Sequence, residues 1–343
     1  LKTAIVGSTG YGGVELIRLL QQHPELELSM IISTSQAGDS LHHVYPHLAH
    51  LSYVYEDFDL NRVIERVDLV FFATPPGISS KWAPSLIEQG KIVIDLSGDF
   101  RLKQADLYEK WYGMPSAPED LLQQAVYGLS EWFSKEIQTA SLISNPGCYP
   151  TATLLALIPL CKENIIAPAS IIIDAKSGVT GAGRSVNQKI LYGEVNENLR
   201  PYKVDGHQHI PEIEQVASFF AQEKTTVSFI PHLVPMNRGI LVTVYGVCMH
   251  KYTNEQLYEL YQETYRSCPF IRIQHDTWPE TKAVQGSNYC DIGFHVDERT
   301  GRIVVLSAID NLMKGAAGQA VQNANLRIGC SEETGLLYSP LYP

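Results

Sequence analysis

The chain of 343 residues has no apolar run near the roughly 20 residues that a membrane span requires. It has no surplus of basic charge. The net charge of −11 argues against a general nucleic-acid binder, which needs a basic footprint, but a few local Lys, Arg and amide groups can still hold small anions. The sequence opens LKTAIVGSTG, entering a strand at once where a secretory leader would place a basic stretch and then a long apolar one, so no leader is expected. None of the six cysteines (148, 161, 248, 268, 290 and 330) stands in a C-x-x-C pair, which speaks against a zinc site or a disulfide framework, and free thiols suit the cytoplasm. Internal repeats and low-complexity linkers are absent too. What remains is an ordinary globular composition, 45% hydrophobic and 18% charged, at a length that suggests two domains.

The first half alternates strand-like and helix-like runs. Strands are expected at 2–6, 26–32, 68–73 and 91–96, with helices at 12–22 and 78–89 between them. This βαβ rhythm implies a parallel, doubly wound sheet. After about residue 160 the rhythm changes. Long strands at 169–175, 225–230, 239–249 and 302–309, with a helix at 254–266, point to a second domain on a mixed or antiparallel sheet. The small residues from 312 onward predict one long helix that returns to the first domain.

The turn GSTGYGG follows the first strand and opens the first helix. Gly7, Gly10 and Gly13 form G-x-x-G-x-x-G, a variant of the dinucleotide fingerprint, with Ser8, Thr9, Tyr11 and Gly12 between them. A tight turn without a ligand is the competing reading. After the second strand, Ser33, Thr34 and Ser35 stand where an acid would bind the ribose of NAD, so NADP is favoured; Asp39 is the nearest acid. ATPPG, with Pro75, and DLSGDFR, with Ser97 and Arg101, end two later strands, as further cofactor loops or as sharp turns only.

SNPGCYP (144–150) places Cys148 where a strand hands over to a helix. A helix N-terminus raises the thiolate fraction, which makes a nucleophile; a small residue filling a turn is the alternative. GHQHIPEIEQ (206–215) offers His207 and His209 for proton transfer near neutral pH, with His209 preferred and His207 orienting substrate. Pro211 predicts a helix starting there, with both histidines just before it. The same spacing occurs in metal sites, but there is no clear third ligand beyond Glu212 and Glu214. The histidines of HHVYPHLAH (42–50) and His232 read as loop residues, and no metal is expected.

These motifs, with YGLSE, KSGVTGAGR, PHLVPMNRGI, GSNYCDIG and IDNLMKGAAGQAVQNAN, run nearly end to end. Together they resemble the N-acetyl-γ-glutamyl-phosphate reductase family, which stands with the aspartate-semialdehyde dehydrogenases on a fold like that of glyceraldehyde-3-phosphate dehydrogenase. The chain departs from the family pattern at Pro76 (His expected), Gln208 (Arg expected) and Asp39 (often Lys).

The resemblance implies an α/β protein with a Rossmann-type NADP-binding domain at 1–147 and 312–343. It implies an α+β catalytic and oligomerisation domain at 148–311. The implied reaction is NADPH-dependent reduction of N-acetyl-L-glutamyl 5-phosphate to the semialdehyde through a Cys148 thioester, in a cytoplasmic homo-oligomer, dimer or tetramer. The nucleotide would meet the GSTGYGG turn, Ser33, Ser35, Pro75, Ser97, Gly178 and Asn311. The substrate would meet Arg101, Asn145, Arg184 and Arg238. An aminoadipyl or carrier-bound acyl phosphate, an aspartate-semialdehyde dehydrogenase, and a non-catalytic dinucleotide sensor are the competing readings.

Overall fold

The computed structural model describes residues 1–342. Two compact units divide the chain: Leu1–Pro146 with Ala316–Leu337, and Gly147–Gly315 with the segment from Tyr338 onward.

The first unit is built on six parallel strands: β1 Lys2–Val6, β2 Glu27–Ile32, β3 Leu69–Phe72, β4 Ile92–Asp95, β5 Val126–Tyr127 and β6 Leu142–Ser144. Their spatial order is β2-β1-β3-β4-β6-β5. The runs LVFF of β3 and IVID of β4 are buried at every position, as strands covered on both faces must be. Successive strands extend in opposite directions from β1. The turns after β1 and β3, GSTGYGG and ATPPG, therefore open at the carboxyl end of the sheet beside this switch point, where open α/β sheets take ligands.

The C-terminal part does not form one helix from 312. A π-helical turn spans Met313–Ala317, and the α-helix follows at Gly318–Ile328. The cause is Asp310. Its carboxylate accepts the amides of Leu312 (2.8 Å) and Met313 (3.1 Å), and its carbonyl accepts Gly315 N–H five residues on (3.0 Å). Residues 312–315 accordingly belong to the second unit, as does the end of the chain, where Leu341 N–H donates to the Gln285 carbonyl. Pro343, the last residue of the expected cofactor domain, lies outside the described residues.

The Gly318–Ile328 helix is held in the first unit by buried polar groups. Asn323 Nδ2 donates to the Gly128 carbonyl (2.8 Å) and to Asn145 Oδ1 (3.0 Å), and its Oδ1 accepts from Ser130 Oγ (2.7 Å). Gln319 Nε2 reaches the Gly128 carbonyl and Ser130 Oγ. Leaving one such group unpaired costs about 1–3 kcal/mol, so the network fixes the YGLSE loop to the helix.

The second unit carries seven strands: β7 Ile171–Ser177, β8 Arg200–Pro201, β9 Val227–Leu233, β10 Ile240–Val247, β11 Ile271–Ile273, β12 Cys290–Asp297 and β13 Arg302–Ile309. Their order is β11-β12-β13-β10-β7-β9-β8. The sheet is mixed: β7/β9 and β11/β12 run parallel and the other pairs antiparallel. Along β7, Ile171, Ile173 and Ala175 are buried while Ile172 is 41% exposed, the alternation of a sheet covered on one face. The Cys148–Lys162 helix covers that face. Every residue from 149 to 161 is buried, and it packs on β10, β13 and the His209–Ala221 helix.

Candidate active site

Cys148 is the first residue of the Cys148–Lys162 helix, and Gly147 is its N-cap, with no side-chain cap. His209 is the first residue of the neighbouring His209–Ala221 helix rather than lying before it, because turning begins two residues ahead of Pro211. A methyl group on Gly147 would lie 2.5 Å from His209 Nε2, inside contact distance. Only glycine lets this imidazole approach the turn that carries Cys148 so closely. On the other side, a methyl on Gly315 would lie 2.9 Å from Cys148 Cβ, so backbone covers the cysteine closely there as well. Gly147→Ala is expected to fold and to lose at least about 10²-fold in kcat as the imidazole is pushed aside, the usual cost of a displacement near 1 Å. Near-parental kcat in that variant would mean that the close approach has no catalytic role.

His207 is buried in an aromatic box, with ring centroids 5.9 Å from Tyr149, 5.8 Å from Tyr202 and 5.4 Å from Phe229. Burial, helped by the nearby Lys203 charge, pushes its pKa down to about 3. It is therefore neutral near pH 7. Its Nδ1 accepts the His209 amide N–H at 3.1 Å, which leaves the ring proton on Nε2. This bond holds the start of the His209 helix. Tyr202 O–H donates to Tyr149 O–H (3.1 Å), which donates to the His232 carbonyl (3.3 Å). The sequence reading gave these tyrosines no role, because an aromatic next to a cysteine has no distinctive spacing. Glu212, by sequence a candidate metal ligand only, meets the cysteine's turn. It is fully buried, and its Oε1 accepts Gly147 N–H at 2.8 Å. Its position three residues after His209, on the same helix face, was the available signal.

Around the glycine turn of the first unit, Gly7 has φ +84°, and a side chain there would strike the Ala73 carbonyl at 2.4 Å. Gly13 packs equally tightly on Gly7 and Ser8, while a methyl on Gly12 would meet nothing within 4 Å. The Tyr11–Leu20 helix is capped by Gly10 with no side-chain acceptor and has no acid in its first turn. That fits a pyrophosphate: an open approach over glycine to a positive helix end. The Ser8 amide (3.2 Å) and hydroxyl (2.9 Å) both donate to the Ile32 carbonyl. Thr9, Ser33 and Ser35 form a hydroxyl chain with 3.3 Å links, and both Ser35 and Asp39 are exposed. Pro75 is exposed at the end of β3. Ser97 Oγ donates to Asp95 Oδ1 (2.6 Å) and lies 2.9 Å from Ser79 Oγ, ordering the DLSGDFR loop.

Several of the residues expected to meet ligands make internal hydrogen bonds. Arg101 is buried, with Nε on the Asn145 carbonyl and Nη2 on the Leu96 carbonyl, both at 2.9 Å. Asn145 is fully buried, its Nδ2 on the Ala316 carbonyl (3.2 Å) and its Oδ1 on Asn323. Asn311 accepts Gly239 N–H (2.8 Å) and donates to Thr180 Oγ1 (2.9 Å). The Gly178 amide donates to the Gly239 carbonyl (2.9 Å). Each ties two loops together, a use of polar side chains that spacing in a sequence does not disclose. Arg238, partly exposed, pairs with the buried Asp310 at 3.1 Å, and Arg184 is exposed. Among the described residues no group of three or more His, Cys, Asp or Glu is arranged to hold a metal. No helix among them is long and apolar enough to cross a membrane.

A glycine-cradled helix start on a doubly wound sheet, with a cysteine and a histidine at two neighbouring helix starts beside a second, mixed sheet, is the arrangement of a class of dehydrogenase. The comparisons agree. Residues 2–140 match the model "Semialdehyde dehydrogenase, NAD binding domain", and residues 148–311 match "Semialdehyde dehydrogenase, dimerisation domain". The fold is shared with aspartate semialdehyde dehydrogenase II from Vibrio cholerae (TM-score 0.73, 18% identity, 96% of this chain and 98% of that one). It is shared also with a probable aspartate-semialdehyde dehydrogenase from Pseudomonas aeruginosa (TM-score 0.68, 20% identity, 96% and 98%). Curated relatives include the N-acetyl-γ-glutamyl-phosphate reductases of Geobacillus sp. (strain WCH70), 50% identical, and Shouchella clausii (strain KSM-K16), 52% identical, each over 100% of both chains. The chain belongs to the semialdehyde dehydrogenase family and, within it, to the N-acetyl-γ-glutamyl-phosphate reductases.

Proposed function

We propose that this reductase works through a covalent thioester on Cys148 and draws on NADPH. The reaction is reduction of N-acetyl-L-glutamyl 5-phosphate to N-acetyl-L-glutamate 5-semialdehyde with release of phosphate, a step of arginine biosynthesis. The observation that supports the thiol mechanism best is the bare Cα of Gly147 against His209 Nε2, which puts an acid–base group beside the cysteine's turn. The Cys148 sulfur attacks the acyl carbon, a carbon–sulfur bond forms, and phosphate leaves with the electron pair of the broken carbon–oxygen bond. Bound NADPH supplies the hydride that reduces the thioester. His209 gives a proton to the developing oxyanion and takes it back as the carbon–sulfur bond breaks and the aldehyde leaves. The positive end of the Cys148–Lys162 helix favours the negative sulfur at the start and the end of the cycle.

Gly7, Gly10, Gly12 and Gly13, with the first amides of the Tyr11–Leu20 helix, would hold the pyrophosphate. Thr9, Ser33 and Ser35 would receive the 2′-phosphate. Arg101, Arg184 and Arg238 are the side-chain candidates for the substrate's anionic groups, with Asn145 beside them. A cytoplasmic homo-oligomer, dimer or tetramer, belongs to the same reading; it is supported by Ile172 and Val247, exposed on one face of the second unit's sheet.

The assay is phosphate-dependent oxidation of N-acetylglutamate semialdehyde, run with NADP and then with NAD. The semialdehyde should be turned over in both runs, and the hydroxyl chain with no acid at the end of β2 should make NADP the tighter ligand by titration. Equal or tighter binding of NAD would refute the NADP preference, with Asp39 the residue to change first.

A further inference from the structure

The mechanism leaves unused one buried carboxylate of the first unit. Asp99, in the loop DLSGDFR, is fully buried. Burying a carboxylate is costly unless donors answer it, and four groups answer this one. The Tyr108 hydroxyl donates to Oδ1 (2.8 Å) and the Ser79 hydroxyl to Oδ2 (2.9 Å). The Gly77 amide donates to Oδ1 (2.8 Å) and Oδ2 (3.0 Å), and the Ser80 amide to Oδ2 (2.9 Å). Gly77 ends the turn ATPPG with φ +88°, and Ser80 is the second residue of the Ser79–Glu88 helix. The N-cap of that helix is Ile78, whose side chain has no acceptor to offer. Asp99 takes the place of the cap from another loop, accepting an orphan amide at the positive end of the helix.

The turn that Asp99 holds also walls the glycine cradle. A methyl group on Gly7 would lie 2.4 Å from the Ala73 carbonyl oxygen and 3.0 Å from Thr74 Cγ2, so the first residues of ATPPG stand directly against GSTGYGG. Packing this close passes a displacement of one turn on to the other.

We propose that Asp99 is a positioning residue for the nucleotide: by holding the Gly77 and Ser80 amides it sets the ATPPG turn against Gly7 and fixes the cradle that receives the pyrophosphate. Being buried, it acts through that turn. The inference rests on GSTGYGG serving as the pyrophosphate cradle.

Asp99→Asn, Asp99→Ala, Tyr108→Phe and Gly12→Glu test it against the parent. The measurements are Kd for NADPH by fluorescence titration, KM for NADPH and for the acyl phosphate, kcat at saturating NADPH, and melting temperature. Asn keeps one of the two acceptor oxygens, so Kd should rise by about 3–10-fold, as for one weakened hydrogen bond. Ala removes both, and Kd should rise by roughly 10–100-fold, the scale of a lost hydrogen bond to a charged group. In both variants kcat at saturating NADPH should stay within about 2-fold, the mark of lost binding rather than lost chemistry. Tyr108→Phe deletes one donor to the same carboxylate and leaves the two turn amides in place. It should lower the melting temperature and leave Kd unchanged. A merely structural Asp99 would behave in the same way. If the Ala variant fails to fold, the Asn variant carries the comparison. Parental Kd in Asp99→Asn overturns the proposal, and so does a Tyr108→Phe enzyme whose Kd rises as far. Gly12→Glu is the control for the cradle. A methyl there meets nothing within 4 Å, so the variant should fold, and its carboxylate at the helix start should weaken NADPH by about 10-fold. Parental affinity in Gly12→Glu moves the nucleotide away from GSTGYGG and takes the inference with it. Weakened binding in Gly12→Glu beside an unaffected Asp99→Asn removes the inference alone.

Discussion

Cys148→Ser is expected to fold, to bind NADPH as the parent does, and to lose roughly 10⁴-fold or more in turnover, the scale seen when a catalytic nucleophile is removed. The side chain changes by one atom at a half-buried helix start, so packing has little to lose. The chemistry has much to lose. A hydroxyl near neutral pH carries almost no negative charge, so the proposed attack on the acyl carbon loses its nucleophile. Labelling provides a second readout on the parent enzyme. Burial pushes the Cys161 thiol up to about 12 and raises the Cys248 and Cys330 thiols, while Cys290 is buried within 3.3 Å of Ser307 Oγ. Iodoacetamide should therefore react at Cys148 before these four, and acyl phosphate should protect it. A Cys148→Ser enzyme that keeps a tenth of its turnover would return the residue to the part of a turn filler.

His209→Asn should leave cofactor affinity intact and lower kcat by about 10²–10⁴, the span usual for one general acid–base group. The amide side chain is shorter than the imidazole, so it does not crowd Gly147, but it cannot carry a proton to and fro. His207→Gln should act differently. Its imidazole is held neutral, with a pKa of about 3, and stays so above about pH 4, so it cannot cycle a proton at working pH. Its loss should be felt through the His209 amide it accepts, as a smaller fall in kcat. A collapse in the His207 variant beside a near-normal His209 variant would reverse the two roles. The titration gives a further check. The His207 folded-state pKa lies below the ordinary 6.5, so the unfolded chain binds more protons between these values. Its contribution to stability is present above pH 6.5 and is lost as the pH falls toward 3.

The sequence was most legible where a short pattern has one physical meaning. The run KTAIV followed by GSTGYGG had to be a strand, a glycine turn and a helix start, because only that arrangement uses three glycines at that spacing. Cys148 at a helix start was readable from the proline-glycine pair before it and the largely apolar run after it. The parallel sheet of the first unit followed from the βαβ rhythm. The C-terminal segment was harder. Its small residues suggested one helix from 312, yet the Asp310 carboxylate captures the amides of Leu312 and Met313 and opens a π turn before the α-helix forms. Nothing in a run of alanines and glycines announces a side chain acting two residues upstream.

The internal partners of the motifs' polar residues were hidden for a related reason. Asn145, Asn311 and Arg101 sit inside distinctive motifs, and distinctive motifs suggest ligands. In the structure they tie loops to one another through buried hydrogen bonds. Such ties are fixed by the tertiary fold, which joins residues as far apart as 145 and 323, so no local spacing carries them. Glu212 shows the opposite error. Its i, i+3 relation to His209 was visible, but its partner, the Gly147 amide, lies 65 residues away.

Intact-protein mass spectrometry of enzyme mixed with N-acetylglutamyl phosphate in the absence of NADPH tests the thioester most directly. An acyl adduct should accumulate on the acid-quenched protein, map to Cys148, be missing from the Cys148→Ser variant, and disappear when NADPH is added as semialdehyde forms. Steady turnover with no adduct at any time, or an adduct on another residue, would contradict the covalent mechanism.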